Sequence, residues 1–451
     1  MSDEFGAVVE RVRERVTPDP EERDRLRAVT ERLTERTAAA VADLPVEADI
    51  VLVGSTARGT WLAGDRDVDL FVQFPPDLDR ERLEEYGLRI GRAVLPDGRE
   101  EYAEHPYTVG EFEGFTVDLV PCYDVADATA IQSAVDRTPF HTAYLEDRLD
   151  DDLADAVRVC KAFLKGIGVY GSDLKTRGFS GYLTELLVVE YGGFRPLLDA
   201  AADWHPPVEL DPEAHGETTF ETPLVVVDPT DPGRNVAAVC SAANLARFQH
   251  YARELLADPR EGLFEPDDPA PLDPAAFREA VADRGTTPVA VRFDAPDVVE
   301  DQLWPQLRKS LSGVTDELDR RGFDVFRADA FADDHAVVFA ELAVTERPRV
   351  ERHEGPPVHV RDHAEGFCGA YADDDGVYGP FVADDRYVVE RERAFSTATE
   401  FLDSDALLEV ALGAHVETAL EDGYEVLVGD ETAVLCEEFG PALARYFSPK
   451  P

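Results

Sequence analysis

The sequence predicts a multidomain α+β protein, and three observations support this prediction. The chain has 451 residues, which is too long for one hydrophobic core and should divide into about three or four units. Apolar runs with period-2 alternation occur between residues 49 and 121, which indicates a small mixed sheet with helices. Apolar residues then recur at helical spacing from residue 139 to 258, and strand and helix patterns mix again further on.

The first half of the chain shows these elements most clearly. Helices over 5–44 are interrupted at Pro18-Asp-Pro20, because proline cannot continue a helix. We expect strands near 49–54, 68–74, 99–104, 107–112 and 115–121, with a helix near 80–95. Helical spacing then follows near 153–164, 183–191 and 235–256.

The second half begins after a linker rich in Pro and Asp at 258–273. We expect strands near 287–294, 323–331 and 336–344, a helix near 299–321, a strand-like alternation at 358–360, and helices near 405–422 and 437–447. The predicted domains are a head (1–138), a helical central domain (139–260), an α/β body (274–345 and 396–451) and a small tail (346–395).

The segment around Gly54-Ser55 carries the strongest signal for function. One apolar run ends at this pair, and a second begins just after Asp67. Asp67 and Asp69 lie two apart in the second strand, so both carboxylates point to the same face. Two converging carboxylates repel each other unless a divalent cation lies between them, and Mg²⁺ prefers such oxygen ligands together with substrate phosphates. The Gly-Ser turn offers backbone N–H groups and a hydroxyl to a phosphate.

A third carboxylate lies in a later strand. Residues 115–121 alternate polar and apolar side chains, and Asp118 is their only acid. Beside the first strand, Asp118 would complete a site in which two metal ions hold the attacking and leaving oxygens of a phosphoryl displacement. These acids therefore predict nucleotidyl transfer, and the alternative is an acidic strand face that only meets solvent.

The set of Gly54-Ser55, Arg58, Asp67, Asp69 and Asp118 resembles the head domain of the polymerase-beta-like nucleotidyltransferases. Further motifs resemble the archaeal, class I CCA-adding tRNA nucleotidyltransferases, densely from about residue 40 to 260 and more loosely to the C-terminus. These motifs are Glu104-His-Pro-Tyr107, Arg137-Thr-Pro-Phe-His141, Cys160-Lys-Ala-Phe-Leu-Lys165, Val169-Tyr-Gly171, Gly178-Phe-Ser-Gly-Tyr-Leu-Thr-Glu-Leu187, and Val227-Asp-Pro229 with Gly233-Arg-Asn235. Asp67 stands where some relatives have Glu, a change that keeps an oxygen ligand.

The resemblance implies a reaction. C, C and A are joined in that order, from CTP and ATP, to the 3′ end of tRNA with release of pyrophosphate and without a nucleic-acid template. It implies that Asp67, Asp69 and Asp118 are catalytic and hold two Mg²⁺ ions. It also implies contacts with the acceptor and TΨC region of tRNA, and a homodimer that associates through the C-terminal regions.

The resemblance also implies how the nucleotide is bound. Ser55 and Arg58, at the turn and at the start of the following helix, bind the triphosphate, where N–H groups and the helix dipole favour an anion. Lys161 supplies charge to the phosphates, and Arg234 presents paired donors to the base. His141 and Tyr170 match nucleotide-contacting positions, although ordinary packing explains either residue equally well when it is taken alone.

Two other kinds of function remain as alternatives. The first is another nucleotidyltransferase with the same head, such as a poly(A) polymerase or an enzyme that acts on small molecules. The long chain beyond the head argues against a small-molecule substrate. The second is a non-catalytic RNA-binding protein with a degenerate head, which the presence of all three acids disfavours.

The composition indicates a habitat. The chain has 94 Asp and Glu against 44 Lys and Arg, a formal net charge of −50. Such acidity argues against a nucleic-acid partner at ordinary salt. It suits multimolar salt, where the Debye length is about 3 Å or less and self-repulsion is screened. We therefore expect the cytoplasm of a halophilic archaeon, which removes the objection to RNA. The sequence shows neither a membrane-spanning run nor a signal peptide.

Overall fold

Two helices begin the chain, α1 (Ser2–Val16) and α2 (Pro20–Ala42). They confirm the predicted break. The Asp19 side chain accepts the Glu22 N–H at the start of α2, and Pro20 takes the first helical position, where its missing N–H has no helical partner to lose. The computed structural model describes residues 2–102, 104–216 and 219–451. The chain forms two units, Met1–Asp267 with Pro451, and Asp268–Lys450.

A mixed five-stranded sheet follows in the first unit, with the strand order β1-β2-β5-β4-β3. Its elements are β1 (Asp49–Val53), α3 (Gly54–Ala57), β2 (Asp67–Phe74), α4 (Arg80–Val94), β3 (Arg99–Tyr102), β4 (Pro106–Phe112) and β5 (Phe115–Tyr123). Strands β2 and β5 are parallel, and the other neighbours are antiparallel. The predicted elements are confirmed to within two residues at each end. The predicted strand 99–104 includes residue 103, which lies outside the described residues.

The two faces of this sheet differ in what covers them. On one face, side chains of β2 pack with α2 and α4 in a large apolar core, and these are Val68, Leu70, Val72 and Phe74. On the other face lies a small apolar cluster of Val53, Phe71, Val120 and Cys122. Asp67 and Asp69 alternate in step with Phe71, and Asp118 alternates in step with Val120. The three acids therefore lie on the face away from the large core.

The rest of the first unit is mainly helical and shares a core with α1. Its elements are α5 (Arg137–Glu146), α6 (Asp151–Gly166), α7 (Gly181–Tyr191), α8 (Phe194–Ala201), β6 (Val208–Leu210), β7 (Leu224–Val226) and α9 (Ala242–Ala257). The predicted start of the last helix at residue 235 is wrong. The Asn235 side chain accepts the N–H groups of Val226 and Ala237 and so holds a turn, and Ser241 caps α9.

The second unit contains two antiparallel sheets, with the orders β14-β8-β10-β9 and β11-β13-β12. Its elements are α10 (Pro274–Arg284), β8 (Thr287–Asp294), α11 (Glu300–Arg320), β9 (Val325–Ala332), β10 (His335–Leu342), β11 (Val350–Pro357), α12 (Arg361–Tyr371), β12 (Val377–Ala383), β13 (Arg386–Glu392), α13 (Ala398–Leu402), α14 (Ala414–Asp422), β14 (Glu425–Val428) and α15 (Cys436–Phe447).

Three predictions for the later part of the chain need correction. The linker 258–273 includes a 3₁₀ turn, Glu261–Phe264, because Leu263 and Phe264 are apolar and bury in the core of the first unit. The alternation at 358–360 is not a strand, since β11 ends at Pro357 and the N–H of Val360 closes a turn on its carbonyl. The predicted helix 405–422 is a 3₁₀ turn followed by α14. Among the described residues, none of the helices combines the length and apolar composition that a membrane crossing requires.

Candidate active site

The turn between β1 and β2 brings the backbone against a carboxylate. Gly54 has a φ of +76°, in the left-handed region that favours glycine. A Cβ atom at this position would lie 1.9 Å from Oδ2 of Asp69, closer than any non-bonded contact allows. Both the conformation and the close approach therefore require glycine, and together they hold the Gly54-Ser55 backbone directly beside Asp69.

The sheet register brings a second carboxylate to the same place. Asp69 pairs with Val53 of β1 on one side and with Asp118 of β5 on the other. Burial raises the pKa of Asp69 to about 6, and the charge of Asp118 adds to this rise. Burial also raises the pKa of Asp118, and here Asp67 adds to the effect. The three carboxylates are therefore electrostatically coupled and oppose one another's ionisation.

These acids have the chemistry of a divalent cation site. Their oxygens are hard ligands of the kind that Mg²⁺ prefers, and a cation would offset the burial and the mutual repulsion that raise their pKa values. Because Gly54 has no Cβ, Oδ2 of Asp69 occupies the space where that atom would lie, and the backbone of the turn borders the carboxylate directly. In the part of the chain that the structure describes, no group of three or more His, Cys, Asp or Glu side chains is already arranged around a metal position.

Arg58 lies in a buried ion-pair network that begins next to these acids. Its charge opposes the rise in the pKa of Asp69. Its Nε donates to Oε2 of Glu185 at 2.7 Å, and its Nη2 lies 2.7 Å from the same oxygen. Its Nη1 donates to the Thr142 hydroxyl at 3.0 Å. The Arg58 side chain is 7% exposed and that of Glu185 is 0% exposed, so both charges are screened little by solvent.

The expected position of Arg58 at the start of a helix is wrong. Helix α3 is a single turn, Gly54–Ala57, and Arg58 follows its C-terminal end. A helix of one turn has a small macrodipole, so the helix contributes little to anion binding here. The positive charge at this turn comes from the Arg58 side chain instead.

Lys161 shares the same buried carboxylate. Its Nζ donates to Oε1 of Glu185 at 2.9 Å and to the carbonyl and hydroxyl oxygens of Thr60 at 3.1 Å each. The Thr60 hydroxyl in turn donates to Oε1 of Glu185. Burial alone would raise the pKa of Glu185, but Lys161 and Arg58 outweigh it and hold this pKa below its ordinary value. An ammonium has three N–H donors, and all three of Lys161 are engaged.

A second polar cluster lies at the other side of α5. Nε2 of His141 lies 2.8 Å from Oδ2 of Asp228, and Nη1 of Arg234 donates to the same oxygen at 2.8 Å. The His141 ring stacks on Tyr182, with centroids 3.9 Å apart. Burial opposes ionisation of Asp228, but the hydrogen bonds from His141 and Thr230 outweigh it and lower its pKa. The Arg234 side chain is 36% exposed, so its outer edge is open to a ligand.

Helix α5 connects the two clusters. Thr142 binds Arg58, and His141, its neighbour in the chain, binds Asp228. Arg58 and Arg234 both lower the pKa of His141, although less than burial does. The helix therefore fixes a spacing between one cationic group near the carboxylates and another beside a stacked aromatic pair.

Tyr170 lies near the start of α7. Its backbone forms an isolated bridge with Phe179, and Lys165 lies over its ring at 5.5 Å. A Cβ atom at Gly181 would lie 3.2 Å from the Tyr170 hydroxyl and 4.0 Å from Nζ of Lys161. The hydroxyl is therefore close to the buried network, and burial raises its pKa.

Two residues of this site were quoted in motifs but received no role from the sequence. Glu185 and Asp228 are both fully buried, and each accepts from two cationic or potentially cationic side chains. The sequence does contain a sign that Glu185 has a special role, because it is an acid within a run of apolar residues that α7 buries. It contains no such sign for Asp228, since acids before proline are common in turns.

The comparisons with protein families define the class of protein. The nucleotidyltransferase domain family matches residues 35–141, the second domain of tRNA nucleotidyltransferases matches 155–265, and the C-terminal domain of CCA-adding enzymes matches 284–429. The first match covers the mixed sheet and its three acids. The protein is therefore a nucleotidyltransferase, and the predicted multidomain α+β fold with a nucleotidyltransferase head is confirmed.

The comparison with individual proteins is more specific. The chain is 64% identical to the CCA-adding enzyme of Haloarcula marismortui over 466 aligned residues that cover 100% of both chains. It is 64% identical to that of Halobacterium salinarum over 99% of both chains. It is 44% identical to that of Methanoregula boonei, over 96% of this chain and 93% of that one. The chain belongs to the family of CCA-adding enzymes. This membership confirms the predicted enzyme class and favours it over a poly(A)-polymerase-like function.

Proposed function

We propose that the protein adds C, C and A to the 3′ end of tRNA from CTP and ATP, with release of pyrophosphate and without a nucleic-acid template. One observation carries the chemistry. Asp69 and Asp118 are paired in register on parallel strands, on the face that also bears Asp67, beside the Gly54-Ser55 turn. The alignment with CCA-adding enzymes along the whole chain supports tRNA as the acceptor.

Asp67, Asp69 and Asp118 are the residues that would hold two Mg²⁺ ions. Bound Mg²⁺ supplies Lewis-acid activation of the 3′-hydroxyl and neutralises charge on the pyrophosphate. The contribution of the protein is to gather oxygen ligands on the strands of the sheet, beside the Gly54-Ser55 turn, whose N–H groups and hydroxyl suit a phosphate. Because burial disfavours their ionisation, the acids gain most from a cation.

Ser55 and Arg58 form the triphosphate end of the proposed site. A guanidinium has five N–H donors, and the bonds of Arg58 to Glu185 and Thr142 leave donors on Nη1 and Nη2 for phosphate oxygens. Lys161 adds positive charge from behind Thr60. Direct contact between Lys161 and a phosphate would require that oxygen to replace one of its present acceptors. Tyr170 offers its hydroxyl from the same side.

Arg234 and His141 form the base end. Asp228 fixes the inner edge of the Arg234 guanidinium, so the outer donors have a set orientation toward a base edge. His141 is held by the same carboxylate and by its stacking on Tyr182. A fixed pair of donors discriminates between bases better than a mobile one, because the wrong base leaves them unpaired.

We propose the predicted boundaries as the functional domains: head 1–138, central domain 139–260, body 274–345 with 396–451, and tail 346–395. The family matches at 35–141 and 155–265 support the head and the central domain, and the match at 284–429 spans the body and the tail together. We propose that the body and tail contact the acceptor and TΨC region of tRNA, that the protein acts in the cytoplasm, and that it is a homodimer. Light scattering should then give twice the chain mass of 49.7 kDa.

Extension of tRNA that lacks its CCA end tests the proposal. With CTP alone the product should be two nucleotides longer, and with CTP and ATP it should be three nucleotides longer and stop. Pyrophosphate release should match each addition. Asp118→Asn, which keeps the side-chain shape, is the inactive control. Continued addition of A would indicate a poly(A)-polymerase-like activity, and no extension by the folded protein would refute the proposal.

A further inference from the structure

Glu185 is a fully buried carboxylate in a largely apolar part of α7. Its neighbours in the helix, Leu183, Leu186 and Leu187, all belong to the core. The side chain of Glu185 is 0% exposed, and its two oxygens have different partners. Oε2 accepts from Arg58, whereas Oε1 accepts from Lys161 and Thr60.

The charges of this network do not balance. Arg58 and Lys161 bring two positive charges, and Glu185 brings one negative charge. One cation would be enough to pair with a buried carboxylate. Stability alone does not require the ion pair at all, because apolar side chains in its place often stabilise a fold equally well. The second cation therefore leaves an excess of positive charge over the single negative charge of Glu185. A net positive charge at this place suits an anionic ligand.

The three charged residues also come from separate parts of the first unit. Arg58 follows the Gly54-Ser55 turn of the head, Lys161 lies in α6, and Glu185 lies in α7. The carboxylate therefore connects the turn beside the catalytic acids to the helical part of the unit. If the carboxylate were lost, Arg58 would keep only its bond to Thr142 among the contacts described here.

We propose that Glu185 is a positioning residue for the triphosphate of the incoming nucleotide, because its divided carboxylate holds Arg58 and Lys161 where they meet the phosphates. This inference rests on the proposed function. Glu185 touches neither base nor phosphate in this scheme and acts through the two cations. The phosphates are common to CTP and ATP, so Glu185 affects both nucleotides alike and leaves base selection to Arg234 and His141.

Binding of CTP and of CMP, each measured by calorimetry with Mg²⁺ and molar KCl, separates this role from a general structural one. In Glu185→Gln the amide presents a donor to one of the cations, so Arg58 or Lys161 is displaced. Loss of one partner of a buried charged pair weakens binding by about 30-fold or more. We expect that loss for CTP and for pyrophosphate, with CMP affinity within about twofold of the wild type because the base end is intact.

Glu190→Gln is the matched control. Glu190 lies on the same helix but is exposed, and its substitution should leave all affinities unchanged. Glu185→Asp keeps the charge but is one methylene too short to reach both cations, so it should show a smaller loss that is also confined to CTP and pyrophosphate. It serves as the test if Glu185→Gln does not fold.

Three results would overturn the proposal. The first is wild-type CTP affinity in a folded Glu185→Asp or Glu185→Gln variant, the second is an equal loss for CTP and CMP, and the third is a change in the preference for CTP over ATP. These results differ from failure of the proposed function, which would be seen as absence of CCA addition by the wild-type enzyme.

Discussion

Replacement of Asp69 by Asn should stabilise the metal-free protein while it abolishes activity. Burial, with a contribution from Asp118, raises the pKa of Asp69 from 3.8 to about 6. Each pKa unit corresponds to about 1.4 kcal/mol, so ionised Asp69 costs the folded protein about 3 kcal/mol at pH 7. Asn has the same shape and no charge. We therefore expect a melting temperature several degrees higher in EDTA, and no CCA addition.

The stabilising effect of Asp69→Asn should depend on pH. A raised carboxyl pKa means that the folded protein binds the proton more tightly than the unfolded chain does, so the cost is fully present above pH 6 and disappears as the pH falls toward 4. The difference in melting temperature between the variant and the wild type should shrink accordingly, because titrating groups distant from Asp69 cancel in the comparison.

Calorimetry in EDTA at several pH values measures this difference. Asp49→Asn, at an exposed position of β1, is the control and should change little. Mg²⁺ should stabilise the wild type more than Asp69→Asn. The reasoning would be refuted if Asp69→Asn were no more stable than the wild type at pH 7 in EDTA, or if the difference did not depend on pH.

Three further outcomes are expected. Gly54→Ala should lose most activity, because its Cβ would displace Asp69, whereas Gly59→Ala, with a similar φ of +69° and nothing within 4 Å, should not; primer extension compares them. Arg234→Ala should lose discrimination among the four nucleotides by about ten- to a hundredfold, while affinity for pyrophosphate stays unchanged; a uniform loss would make Arg234 a phosphate contact. Stability and activity should fall when KCl is lowered from molar to about 0.1 M, since the net charge of −50 is then poorly screened. Melting and extension across a salt series would show no such loss if the acidic surface had no such role.

Sequence patterns predicted the local geometry around Asp67 and Asp69. The shared face of Asp67 and Asp69 follows from the strand period alone, and the glycine turn follows from residue type. The strand pattern alone does not establish that Asp69 pairs with Asp118. That pairing depends on β5 lying parallel to β2 after α4 and the β3–β4 hairpin. Periodicity gives the face of a strand but not its neighbour.

Sequence patterns could not predict which residues pair in the two buried polar networks. Glu185 and Arg58 are 127 residues apart in the chain, and no local propensity connects them. The same holds for His141 and Asp228, which are 87 residues apart. Lys161 was assigned to the phosphates by resemblance, yet its three donors bind Thr60 and Glu185. Helix α3 is a single turn, too short for sequence patterns to predict, and Arg58 therefore lies at its end and not at its start.

Burial of the cations gives a physical reason why so acidic a protein can bind a polyanion. At molar salt the Debye length is about 3 Å, so an exposed lysine or arginine attracts phosphate weakly. Several exposed arginines here are paired with acids one helical turn away, such as Arg27 with Asp24 and Arg361 with Glu365. Arg58 is different, since its charge is buried beside Glu185 and screened little by solvent. A site built on buried cations keeps its attraction for a triphosphate at salt concentrations that suppress surface contacts.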